Sequence, residues 1–98
     1  MITSDSVITI IRSIIEHQKV IIGPLAIDQA RKVPGLVIEN GSGLKISVKD
    51  VNLTTVIDQL VNCYEELFGQ TSIEVCKEAI KESSVSIKPE ELPPKLRS

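Results

Sequence analysis

The hydrophobic pattern of this chain changes period twice, and nothing else in the sequence constrains its fold as strongly. From Leu36 to Lys49 apolar and polar residues alternate: Leu36, Ile38, Leu44, Ile46 and Val48 fall on one side, Val37, Glu39, Lys45, Ser47 and Lys49 on the other. That is the period of strands with one buried face. On both flanks the apolar residues recur every three to four positions, the period of helices packed on a core. Helices, one alternating stretch and helices again predict an α+β fold, with two N-terminal helices, a central antiparallel β-hairpin, a C-terminal helical hairpin and a flexible tail.

The alternating stretch also predicts its own register. With Gly41-Ser42-Gly43 as a three-residue loop, Asn40 faces Leu44, Glu39 faces Lys45, Ile38 faces Ile46 and Leu36 faces Val48. Every pair then agrees in character. A two-residue turn at Asn40-Gly41 would set Ile38 against Gly43 and Leu36 against Lys45, so the side-chain pattern outweighs the Asn-Gly signal.

The first helix is expected from Ser4 to about Val20, with Val7, Ile8, Ile10, Ile11, Ile14, Ile15 and Gln18 on one side. Isoleucine and valine are mediocre helix formers, so this helix must be held by burial of its stripe. Gly23-Pro24 breaks the phase, and a second helix is expected from Pro24 to Lys32, ended by Pro34-Gly35. The third carries the clearest stripe: Leu53, Val56, Ile57, Leu60, Val61, Tyr64, Leu67 and Phe68 share a face, opposite Asp58, Asn62, Glu65 and Glu66. Asp50 or Asn52 is its expected cap, and Gly69 its stop. Thr71 three residues before Glu74 predicts a capping box for a fourth helix, Ser72 to Glu82. Residues 1–83 are thus expected to form one compact domain, and 84–98, rich in Ser and Pro, a mobile tail in which 84–87 could add a strand.

Composition narrows what such a domain can do. Of 98 residues, 33 are Ile, Val or Leu and only two are aromatic, so branched aliphatics must fill the core. Base stacking on aromatic rings is nearly excluded. The net charge is −2, and residues 36–82 carry eight acidic residues against four basic ones. That surface repels nucleic acid, and helices three and four are not expected to act as a DNA-binding helix-turn-helix. Met1 to Asp5 lacks a basic region, and Arg12, Glu16, His17 and Lys19 interrupt the apolar stretch that follows, so neither a signal peptide nor a membrane span is expected. A cytoplasmic location with reduced cysteines is.

Each candidate for chemistry has an ordinary structural explanation. His17, the single histidine, lies at the edge of the first helix's stripe, where a partly buried, non-catalytic imidazole is the usual outcome. Cys63 and Cys76 lack metal-ligand spacing. They fall at similar heights on the two helices flanking Gly69, but helix axes stand about 8–10 Å apart while a disulfide wants α-carbons within about 7 Å, so free thiols are expected. Gly41 and Gly43 join two strands rather than opening a helix, which is a turn and not a phosphate loop. Glu65 and Glu66 diverge by about 100° and cannot act as paired carboxylates.

No catalytic, cofactor-binding or metal-ligating residue is therefore assigned from the sequence, and neither a cofactor nor enzymatic activity is expected. The expected function is a small protein-interaction module. Its partners are taken to be a second copy of itself or another protein, with neither nucleic acid nor membrane among them. The alternative is a small enzyme or ligand-binding subunit whose site is completed by another chain, with His17, Cys63, Cys76 and Tyr64 as its reactive groups. A homodimer is expected, either by edge pairing of the hairpin through Leu44 to Val48, which would thicken a marginal two-stranded ribbon, or by helix stripes packing across a two-fold axis.

Overall fold

The structure, a computed structural model, describes residues 4–40, 44–48 and 53–83 together with Leu92 and Leu96. Its elements follow the order expected from the change of period: α1 (Ser4–Ile22), α2 (Leu25–Ala30), β1 (Leu36–Asn40), β2 (Leu44–Val48), α3 (Leu53–Phe68) and α4 (Gln70–Glu82). The fold is α+β, and among the described residues the strands form a two-stranded antiparallel sheet.

Burial of one stripe explains α1. Ile10, Ile11, Ile14 and Ile15 are fully buried, as is Gln18 on the same side. The helix runs two residues past Val20 and stops where Gly23, at φ +66°, donates its N–H to the Lys19 carbonyl at 2.9 Å. Pro24 then caps α2, its fixed φ already helical and its missing N–H costing nothing there. The regular part of α2 ends at Ala30. The rest of the expected helix is a tighter turn, in which the N–H groups of Lys32 and Val33 donate to the carbonyls of Gln29 and Ala30, both at 3.1 Å.

The hairpin has the register that side-chain matching demands: Leu36 opposite Val48, Ile38 opposite Ile46, Glu39 opposite Lys45 and Asn40 opposite Leu44. The loop itself lies outside the described residues, as do Asp50, Asn52 and 84–87. Leu36, Ile38 and Ile46 are buried, because β2 packs on α1 and β1 on α2. A two-stranded ribbon is marginal in water. Here two helices of the same chain pack on it.

Helix α3 packs on α4, α2 and α1, burying Val56, Ile57, Leu60, Val61 and Tyr64. The stripe fails at its last turn, where Leu67 and Phe68 are 42% and 46% exposed. Gly69 then reverses the chain in a single residue, at φ +65° and ψ −145°, a region open essentially to glycine alone. This abrupt turn also corrects the expected capping box. The fourth helix starts at Gln70, so Thr71 already lies inside its first turn, and no side chain caps it. Glu74 instead accepts a hydrogen bond from Gln70 Nε2 at 3.1 Å.

Within 84–98 only Leu92 and Leu96 are described, and both are buried with the core. No described helix is long and apolar enough to cross a membrane.

Candidate functional site

Where α1 meets α4, the aliphatic core gives way to a polar seam. Ser13 Oγ donates to the Ala79 carbonyl at 2.7 Å, and Gln18 Nε2 donates to the Ser72 carbonyl at 3.2 Å while facing Cys76 Sγ at 3.6 Å. Ser72 Oγ carries the chain of contacts to α3 by donating to the Tyr64 carbonyl at 2.9 Å, and Tyr64 donates its hydroxyl to the Ala26 carbonyl at 2.6 Å. Gln18 and Ser72 are both 1% exposed, so the bonds matter: among the described residues no buried side-chain nitrogen or oxygen lacks a partner.

His17 continues this seam towards solvent. Its Nδ1 donates to the Ser13 carbonyl at 2.8 Å, and its Nε2 meets Glu82. Both partners are acceptors, so the arrangement is fully satisfied only when both ring nitrogens carry protons. The pKa is accordingly raised, first by the hydrogen bond to Glu82, then by the bond to Ser13 and the charges of Glu82 and Glu78, with burial opposing. The imidazole is half-buried, as its place at the edge of the stripe predicts. Its partner, 65 residues away, carried no signal in the sequence.

The other reactive groups are quiet. Cys63 and Cys76 are free thiols, the first half-buried and the second buried. Burial pushes Cys76 up to about 11, against the hydrogen bond from Gln18, and burial likewise raises Cys63. The thiolate, the nucleophilic form, is therefore disfavoured by burial at both positions. Burial raises Tyr64 further still, helped by the neighbouring thiols. His17 engages Glu82, while Cys76 and Tyr64 belong to the same buried seam, Cys76 facing Gln18 and Tyr64 bonded to Ala26. Glu39 and Glu66 are exposed, and Asp58 and Glu65 half-buried. No group of three His, Cys, Asp or Glu among the described residues could hold a metal ion.

The surface feature that sequence reasoning missed lies at the two helical elbows, α1–α2 and α3–α4. The bonds from Gln18 to Ser72, Ser72 to Tyr64 and Tyr64 to Ala26 tie these elbows to each other at one end of the molecule. Every large hydrophobic side chain that is exposed among the described residues belongs to them: Val20 at 87%, Ile21 at 54%, Leu25 at 48%, and Leu67 and Phe68 from the last turn of α3. Beside them opens a cleft of about 420 Å³ between α1 and α4, lined by Glu16, His17, Val20, Ile21, Val75 and Glu78. Its lining is aliphatic at Val20, Ile21 and Val75 and, His17 apart, acidic where it is charged. The signal in the sequence was present but masked, since Leu67 and Phe68 lie in phase with a core stripe.

No protein-family model matches the chain, and no significant match was found to a curated protein or to a solved structure.

Proposed function

We propose that the protein is an interaction module that works by binding protein through the end at which its helical elbows meet. One observation carries this: the exposed large hydrophobics, scattered singly on most surfaces, are gathered here at that end, beside an apolar cleft. Val20 at 87% exposure, on a helix whose isoleucine stripe is fully buried, leaves apolar area in water that a partner would remove. The hairpin is the weaker contact, because its apolar face is already covered and Lys45 and Ser47 are exposed along β2.

The test is site-specific photocrosslinking in the cells that make the protein. A photoreactive side chain at Val20 or Phe68 is expected to give discrete protein adducts, and one at the exposed Glu39 none. Absence of adducts at both elbow positions, or the same adducts from Glu39, would refute it.

One observation favours a second function, a ligand-binding subunit: the cleft beside His17 has the volume of a small-molecule site. Native mass spectrometry of the protein purified from its own cells separates the two. A retained small molecule supports the ligand subunit, and a retained protein chain supports the module.

A further inference from the structure

We infer that the partner seated at the elbow end is a second copy of this chain, docked so that Val20 of each copy enters the α1–α4 cleft of the other and Lys19 of each faces Glu16 and Glu78 of the other. The inference rests on the proposal that the elbow end binds protein and goes further by naming the occupant.

Charge complementarity supports it. The cleft is lined by the aliphatic Val20, Ile21 and Val75 together with two carboxylates, Glu16 and Glu78. It calls for an aliphatic side chain with a cation next to it. The last turn of α1 presents that combination in Lys19-Val20-Ile21, with all three exposed and Val20 the most exposed large hydrophobic described. Donor and receptor lie on the same helix, Glu16 and Val20 being one turn apart. A contact that uses one patch on both subunits is what a two-fold axis requires, with each residue pair occurring twice. Val20 would approach the axis, and the lysines would flank it. The contact is built from α1 and α4, so the expected homodimer is assigned to its helical route rather than to β2.

Lys77 lies 3.9 Å from Glu74 on α4 and Glu82 meets His17, while Glu16 and Glu78 line the cleft. Glu78 also acts on His17, and Lys19 and Lys81 stand one turn from Glu16 and Glu78 on their own helices, so the contact across the axis has to compete with these neighbours.

The test exploits the symmetry. Sedimentation equilibrium of the wild-type protein at micromolar concentration is expected to give twice the chain mass of 10.7 kDa, with the association weakening as salt rises. Lys19→Glu and Glu78→Lys change exposed residues, and each alone is expected to give monomer, because each homodimer would oppose like charges twice. An equimolar mixture of the two variants is expected to restore the dimer mass as a heterodimer, since both lysine–glutamate contacts reappear across the axis. Circular dichroism on each variant checks that it folds. A monomeric wild type, dimers undisturbed by either variant, or failure of the mixture to reassociate overturns the inference. If the wild type is monomeric while crosslinks at Val20 capture a different protein, only the identity of the occupant fails and the interaction module stands.

Discussion

Helix α1 is held in two different ways. Its Ile10, Ile11, Ile14 and Ile15 join Val56, Ile57, Leu60 and Val61 in one aliphatic core. Towards α4 it presents Ser13, His17 and Gln18, which reach Ala79, Glu82, Ser72 and Cys76. Burial of aliphatic surface is strong but non-directional, so the first contact supplies stability with little preference for how the helices are aligned. Hydrogen bonds contribute less net energy, but they are satisfied only in one alignment, and the cost of leaving them unmade falls on every wrong one. The core holds the helices together, and the seam sets where α4 lies on α1.

The largest effect expected from this division is in the core. Leu60→Ala should destabilise by about 2–5 kcal/mol, read as a lower urea midpoint, because it opens a cavity at the centre of the α3 stripe. An unchanged midpoint would show that α3 is peripheral. Next comes the elbow that makes the seam reachable at all. Gly69→Ala should cost about 1–3 kcal/mol through backbone strain alone, since nothing lies within 4 Å of the added methyl group. A neutral result would mean that the turn adopts another conformation.

The seam should respond more weakly, and differently. Gln18→Met keeps the volume and removes both contacts to α4, for an expected loss of about 0.5–1.5 kcal/mol. Its sharper signature is faster hydrogen exchange in α4 than Leu60→Ala produces at equal global stability. Equal exchange patterns in the two variants would abolish the distinction drawn between core and seam.

The smallest effect is the pH response of His17. A histidine whose native pKa is raised stabilises the fold fully below its unfolded value, near 6.5, and loses that contribution as pH rises through the native value. Wild-type stability relative to Glu82→Gln should therefore fall on going from acid to mildly alkaline pH. By NMR, His17 should titrate above 6.5 in the wild type and move back towards it in the variant. Titration at the ordinary value in both would show that the pair does not form in solution.

Much of the architecture was legible in the residues. The order of elements, the hairpin register and the buried stripes of α1 and α3 follow from periodicity, because which side of an element is apolar is a local property of its sequence. Three features were not legible. Leu67 and Phe68 match the core period, yet they are exposed, since whether the last turn of a helix has anything behind it depends on where its neighbours stop. Thr71 and Glu74 match a capping box, yet Gly69 turns the chain so sharply that the helix begins before them. His17 and Glu82 form a pair because two helices cross, and no pattern within either helix encodes that crossing.

Local steric preference and the hydrophobic period, both readable along the chain, determined which segments became helices and strands and which faces turned inward. Tertiary structure alone decided the polar partners across α1 and α4, the joining of the two elbows at one end, and the exposure of Val20, Ile21, Leu25, Leu67 and Phe68 there. These depend on distances between residues that are tens of positions apart in sequence, which are set only once the aliphatic core has packed.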